Sequence, residues 1–300
     1  MYIRDLLKKE NLSISFEVFP PKNDTAVESV MQAACRIAAL RPAYISVTYG
    51  AGGGQSKYTM AMAQRLQKEY GVPTVAHLTC VSSTRETIRT RMEEITALGI
   101  ENVLALRGDL PADQTASDPL SWSYHHAIEL VRELKQFRPD FCIGGACYPE
   151  THPEAANSRD DIRYLKEKVD AGCDFLTTQM FFDNSLLYSF LYRIREAGIS
   201  VPVIPGIMPI TNANQLKRAI ELSRSFMPVR FLRLVDRFGS DAEAMKQAGI
   251  IYATDQIIDL YASGIRHVHV YTMNKPDVAF KIIDNLSAIL GSVSPAEGSR

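Results

Sequence analysis

Eight short apolar runs, each followed by a longer amphipathic stretch, recur along the chain at residues 13–19, 44–48, 74–78, 102–106, 142–146, 175–179, 203–207 and 267–270. Most are almost continuous in apolar residues. That pattern suits parallel strands that carry helices on their outer side rather than half-wet antiparallel strands. The intervening stretches read as helices. Val27, Val30, Met31, Ala34 and Ala38 mark one helical face, and Ile162, Leu165 and Val169 stripe another. Ser83-x-x-Glu86 predicts a capping box, and Gly99, Gly172 and Gly198 fit left-handed caps at helix ends. Eight such units in 300 residues predict an α/β fold, a single-domain (β/α)8 TIM barrel over residues 1–291, with a doubly wound open sheet as the alternative. The stretch 226–239 reads as irregular, ahead of a final outer helix. Residues 292–300 read as a polar, disordered tail.

The chain is 46% hydrophobic and 22% charged, enough for a substantial core. Its formal net charge of −1 supplies no field to attract nucleic acid or an anionic membrane. No apolar run approaches the roughly 20 residues that span a bilayer, and residues 1–11 lack the apolar core of a signal peptide. A cytoplasmic protein is expected. Cysteines stand at 35, 80, 142, 147 and 173, with no Cys-x-x-Cys pair; the odd count predicts buried free thiols and no structural zinc.

Function in such a barrel sits at the C-terminal ends of the strands. Polar residues cluster there: Glu17; Thr48-Tyr49; His77; Arg107-Gly108-Asp109; Tyr148 through Glu154; Gln179; Asn212 and Gln215; and Tyr271 through Lys275. Glu17 lies amid Phe16, Val18 and Phe19, where ionisation is costly. A raised carboxyl pKa suits a general acid, and a structural glutamate paired with an arginine is the other reading. Asp109 after Arg107-Gly108 is either a ligand group or ordinary turn chemistry. The glycine run 50–54 matches neither a dinucleotide fingerprint nor a P-loop. His267 and His269 share one face of a strand, and a structural role is the simpler reading for both. His125-His126 is placed on a helix, and Ser158-x-x-Asp161 and Asn212-x-x-Gln215 fit helix caps.

Seven segments in order carry a resemblance: Ser15-Phe-Glu-Val-Phe-Pro-Pro21, Val47-Thr-Tyr-Gly-Ala51, His77-Leu-Thr-Cys80, Leu106-Arg-Gly-Asp-Leu-Pro111, Tyr148-Pro-Glu-Thr-His-Pro-Glu-Ala155, Thr178-Gln-Met-Phe-Phe-Asp183 and Ile204-Pro-Gly-Ile207. Together they make the chain resemble the methylenetetrahydrofolate reductase family along nearly its whole length. The resemblance implies FAD at the C-terminal mouth of the barrel. Thr48, Tyr49, Ala51, His77, Arg107, Gly108, Asp109, Tyr148, His152, Ala155, Asp161 and Lys168 would contact it, with Tyr124 and His125 flanking its adenosine part. It makes Glu17 the general acid and places Asp109 between flavin and folate. It assigns Gln179 and Gln215 to orienting folate or nicotinamide, Lys275 to the folate tail, and Thr48 to the substrate side as well. The implied reaction, part of one-carbon metabolism and methionine synthesis, takes hydride from NAD(P)H through FAD to 5,10-methylenetetrahydrofolate. Glu17 protonates N10 to open the five-membered ring.

The chain departs from the family pattern at Lys275 (commonly arginine), Glu167 (basic), Tyr164 (asparagine) and Ala219 (a larger apolar residue). A homo-oligomer, or a reductase subunit fed electrons by a partner protein, remains open. So does a metal-dependent hydrolase built on His77, His267, His269 and Asp109.

Overall fold

The computed structural model describes residues 1–21, 23–49, 56–81, 83–109, 122–223 and 225–291. Ala51, the glycine run 50–54 and the tail 292–300 lie outside the described residues. Nine strands form the sheet: β1 (Ser13–Val18), β2 (Ile45–Val47), β3 (Thr74–Thr79), β4 (Asn102–Leu106), β5 (Cys142–Cys147), β6 (Phe175–Thr178), β7 (Val203–Ile204), β8 (Gly206–Ile207) and β9 (His267–Tyr271). All described pairings are parallel, in the order β7-β6-β5-β4-β3-β2-β1-β9-β8. The helices are α1 (Ile3–Leu6), α2 (Val27–Ala38), α3 (Ser56–Tyr70), α4 (Arg85–Ala97), α5 (Ala127–Phe137), α6 (Ser158–Asp170), α7 (Asn184–Glu196), α8 (Ala213–Ser223), α9 (Val229–Phe238), α10 (Ala242–Ala262), α11 (Pro276–Asn285) and α12 (Ser287–Gly291). This is the expected (β/α)8 barrel.

The two ends of the strand order are one broken strand. The seventh predicted run is interrupted at Pro205, which has no N–H to give to the ladder. β7 pairs with β6, while β8 pairs with β9, so the break itself closes the ring. The Pro205 carbonyl still accepts from His269 N at 2.8 Å, and Gly206 N donates to Thr178 Oγ1 at 2.8 Å. A Cβ at Gly206 would stand 2.4 Å from the Tyr271 hydroxyl and 2.5 Å from the Thr178 carbonyl oxygen, so only glycine fits that closure.

β1 shows how the barrel separates its two faces. Ile14, Phe16 and Val18 point outward into a core shared with Met31 and Ile37 of α2 and Val278 and Ile282 of α11. Each such burial contributes roughly 1.5–3 kcal/mol. Ser13, Ser15 and Glu17 alternate with them and face the interior, opposite the matching residues His267, His269 and Tyr271 of β9. The far end of the interior is apolar: Val75, Leu104, Cys142, Phe175 and Ile204 pack against Ile3, Leu6 and Leu7. α1 thus plugs the N-terminal end of the barrel, a role the charged first eleven residues do not announce. Asn102 fastens the plug, accepting from Ile3 N at 2.9 Å and donating to the Met1 and Thr74 carbonyls at 3.1 Å each.

Several local expectations need correction. The cap of α4 is Thr84, whose hydroxyl accepts from Thr87 N, not Ser83. Asn157, not Ser158, caps α6 and accepts from Arg159 and Asp160 N. His125 and His126 precede α5, where the Glu129 carboxylate reaches back to their backbone N–H groups. The stretch 226–239 is not irregular. It carries α9, whose Phe231, Leu234, Val235 and Phe238 follow the helical spacing and pack with Phe182, Ala219, Met245 and Tyr252. The Asn212 cap and the left-handed Gly99, Gly172 and Gly198 are as expected. The five cysteines are buried free thiols. Among the described residues no helix is long and apolar enough to cross a membrane.

Candidate active site

Glu17 stands on the inner face of β1, one step below the mouth, with 21% of its side chain reachable by solvent. Its Oε2 lies 3.7 Å from His77 Nε2 and 4.0 Å from His269 Nε2. Burial pushes the carboxyl up to about 8; the one force in the other direction is the Ser46 hydrogen bond, which lowers it whenever that hydroxyl donates. Burial also drives both imidazoles down to about 3, so neither is a cation that would hold Glu17 ionised. His77 Nε2 is buried without a partner. Tyr271, held well above the usual phenol range by burial, donates to the Thr178 carbonyl at 2.6 Å across the ring. The site therefore holds a neutral, protonated carboxyl at pH 7 in a polar pocket without fixed charge.

A second group of predicted residues gathers over β4 and β5. Arg107 forms a fork with Glu154, at 2.6 and 2.7 Å. Gly108 has φ +88, and a Cβ there would meet Thr79 Cβ at 2.9 Å. Asp109 is exposed. Tyr148 is raised to about 12, chiefly by burial and then by Asp109, and its ring meets His152 edge-on at 4.6 Å. His152 N donates to Asp161 at 3.0 Å, and His152 Nδ1 accepts from Glu154 N at 3.1 Å, which leaves the ring proton on Nε2. Burial raises Asp161 and lowers His152. Ala155 N closes the turn onto the His152 carbonyl at 2.9 Å.

A third group lies at the rim by β8 and β9. Gln215 Oε1 accepts from Thr211 N and Oγ1 at 2.8 and 2.9 Å, and Lys275 Nζ donates to Thr211 Oγ1 at 2.7 Å. Burial lowers Lys275. Gln179 accepts from Met180 N at 2.9 Å. Thr48 takes the strand register from Val18, and Tyr49 packs on the core. Lys168 donates to the Ala146 carbonyl.

Two predicted residues stand apart. Tyr124 is fully buried with its hydroxyl bonded to Glu133 at 2.5 Å, and His125 is exposed beside α5. Of the departures, Glu167 pairs with Arg163 at 3.2 Å, Tyr164 lies under the same guanidinium, and Ala219 is buried. His77 and His269 meet beside Glu17, but His267 and the exposed Asp109 do not join them. His267 sits beside a cavity of about 590 Å³ at the opposite end of the barrel, with Ser13 on one ring nitrogen and the Leu7 carbonyl on the other. Among the described residues no three potential ligands gather around a metal-sized space. Sequence reasoning missed Ser46 and Tyr44. The strict alternation of Ser13, Ser15 and Glu17 was the available signal for a polar interior.

Residues 2–287 match the family model for methylenetetrahydrofolate reductase. The 5,10-methylenetetrahydrofolate reductase of Escherichia coli (strain K12) is 34% identical over 275 residues, covering 92% of this chain and 90% of its own. Methylenetetrahydrofolate reductase (NADH) 1 of Zea mays is 36% identical over 287 residues, covering 92% of this chain and 48% of its own. The corresponding Arabidopsis thaliana protein is 34% identical over 297 residues, 96% of this chain and 50% of its own, so the chain spans about half the length of these plant relatives. Among solved structures, a Clostridium thermocellum protein that binds two copies of 5-methyl-5,6,7,8-tetrahydrofolic acid superposes with TM-score 0.67 at 14% identity, over 96% of this chain and 100% of its own. Dihydropteroate synthase of Xanthomonas albilineans follows at 0.52 and 16%, over 95% and 94%. Identities that low speak to the barrel alone. On the family match and the Escherichia coli relative, the chain belongs to the methylenetetrahydrofolate reductase family.

Proposed function

We propose that this chain reduces 5,10-methylenetetrahydrofolate to 5-methyltetrahydrofolate, with FAD as its cofactor and NAD(P)H as the electron source. The observation that carries the reading is Glu17: a carboxyl raised to about 8 beneath the mouth of the barrel, still protonated at neutral pH.

The residues suit a flavin. His77 Nε2 is a buried imidazole nitrogen with no partner, and Gly108 offers bare backbone where no side chain fits. Thr48, Tyr49, His77, Arg107, Gly108, Tyr148, His152, Ala155, Asp161 and Lys168 would hold FAD. When bound, the flavin supplies the two electrons that turn the methylene into a methyl group.

The chain's own residues supply the rest. Glu17 gives its proton to N10 of the folate, which opens the five-membered ring and leaves a cation on the N5 side. Its neutral surroundings make the proton available without a competing charge. Asp109, exposed at the mouth, favours that cation. Gln179 and Gln215 orient the pterin or the nicotinamide. Lys275, held by Thr211, meets the carboxylates of the folate tail.

Glu17→Gln tests this. The variant is expected to keep its flavin and its reduction by NADH while losing folate reduction. Turnover of folate at the wild-type rate overturns the acid assignment. Failure of NADH to bleach the flavin of the wild-type protein under anaerobic conditions points instead to a partner protein as donor.

A further inference from the structure

Behind Glu17 runs a single file of hydrogen bonds that its role as acid does not by itself require. Ser46 is the register partner of Glu17 on β2, and its Oγ lies 3.0 Å from His269 Nε2, which itself stands 4.0 Å from Glu17 Oε2. His269 Nδ1 lies 2.8 Å from Ser15 Oγ, and Ser15 Oγ lies 3.1 Å from the Val268 carbonyl oxygen. Ser15, Ser46 and His269 are each at most 3% exposed, so no bulk water can stand in for a missing partner. The ring is fixed as well. It stacks on Tyr44 at 5.5 Å with planes 8° apart and meets Tyr271 edge-on at 5.5 Å.

Proton counting along this file gives one consistent direction. Two oxygens 3.1 Å apart repel unless a hydrogen lies between them, and the carbonyl has none to offer. Ser15 therefore gives its single proton to Val268 and can only accept from Nδ1. Burial holds the nearby Tyr44 hydroxyl protonated, far above the usual phenol range, so it demands no proton from Ser15. A neutral imidazole with its hydrogen on Nδ1 has a bare lone pair on Nε2. Ser46 must fill that lone pair with its own proton, and it then faces Glu17 with lone pairs only. A carboxylate gains nothing from that; a carboxylic acid can donate to it.

We propose that His269, locked in its Nδ1–H form by Ser15 and the Val268 carbonyl, is a positioning residue that draws the Ser46 proton away from Glu17 and so keeps Glu17 in its proton-donating form. This rests on the reading of Glu17 as the acid. The other groups facing Glu17 do not compete: His77 on β3 is neutral, and Tyr44 just before β2 and Tyr271 on β9 keep their protons.

His269→Phe preserves an aromatic ring against Tyr44 but offers Ser46 no acceptor. Ser46 then turns its proton on Glu17 and favours the carboxylate. Ser46→Ala removes the hydroxyl altogether. The holoenzyme is followed by the pH dependence of single-turnover folate reduction, and Glu17 by carbon-13 NMR, its signal identified by its loss in Glu17→Gln. His269→Phe is expected to move the Glu17 titration at least one pH unit toward acid, a tenfold change in the fraction protonated above the midpoint. Ser46→Ala is expected to move it less far in the same direction, because the acid loses its acceptor while the carboxylate gains no donor. A His269→Phe shift that disappears in the Ser46→Ala background distinguishes this role from a merely structural one, and a shift of the same size in both backgrounds overturns it. Nitrogen-15 NMR of His269 in the wild-type protein is expected to place the hydrogen on Nδ1, which decides the matter even if the variants fold poorly. A hydrogen on Nε2, or a Glu17 titration that His269→Phe does not move, overturns the proposal. An active Glu17→Gln overturns the acid assignment instead, and leaves the coupling readable by NMR.

Discussion

Replacing Glu17 by glutamine should change how stability depends on pH, and the size follows from its surroundings. An unfolded chain releases the Glu17 proton near 4.5, whereas the folded barrel holds it to about 8. Between those limits the folded state binds a proton that the unfolded state has lost, so stability falls as pH rises. The contribution is fully present below 4.5 and gone above about 8. At about 1.4 kcal/mol per pH unit, the span from 4.5 to about 8 sets a ceiling of about 5 kcal/mol. The partly accessible side chain and relaxation of the pocket reduce that figure. Glutamine keeps the shape and cannot ionise. His77 and His269, both lowered by burial, titrate on the acid side in either protein and cancel in the difference. Urea denaturation at pH 5, 6, 7 and 8 should therefore show Glu17→Gln gaining on the wild type by on the order of 1 kcal/mol per pH unit. A difference that stays flat from pH 5 to 8 would refute a buried, raised carboxyl at this position.

Three further outcomes test other parts of the molecule. Asn102→Leu strands the Ile3 N–H and the Thr74 carbonyl, each at about 1–3 kcal/mol, and should lower the urea midpoint by loosening the α1 plug. Gly108→Ala forces a left-handed backbone and a 2.9 Å approach to Thr79 Cβ, so the melting temperature should fall and bound flavin should be lost from the purified protein. All five cysteines are buried, so a thiol reagent should label none in the native protein within minutes and five after denaturation.

The barrel was legible in the sequence because its period is written in apolar runs that need no knowledge of contacts. Its closure was not. The run at 203–207 reads as one strand, and only the tertiary ladder reveals that Pro205 hands the pairing from β6 to β9. Helix α9 carried its own signal in Phe231, Leu234, Val235 and Phe238, and its exposed arginines and leading Pro228 obscured it. The candidate site divides in the same way. Motif residues such as Arg107, Gly108, Tyr148 and His152 do meet at the mouth. His269 read as a structural histidine, since nothing local tells which buried face of a parallel strand looks inward and which lies under a helix. Its hydrogen-bond partner Ser46, the register neighbour of Glu17, lies more than two hundred residues away in the chain.

That division of faces also explains how the barrel tolerates a carboxyl where it stands. On β1, Ile14, Phe16 and Val18 are at most 4% exposed, and together they contribute roughly 5–9 kcal/mol by burial. At pH 7 holding on Glu17 a proton that the unfolded chain has released costs roughly 3 kcal/mol of stability. The outward face of one six-residue strand thus outweighs the cost on its inward face, and the apolar plug of α1 adds to the margin from the far end. If so, damage to the two faces should separate cleanly. Phe16→Ala should cost about 3–5 kcal/mol of stability while leaving the pH at which Glu17 titrates unchanged. Equilibrium denaturation and carbon-13 NMR on the same sample read both quantities. A Glu17 midpoint that moves with the Phe16 cavity would mean that the two faces of the strand are coupled and that outward packing helps set the acidity of the site.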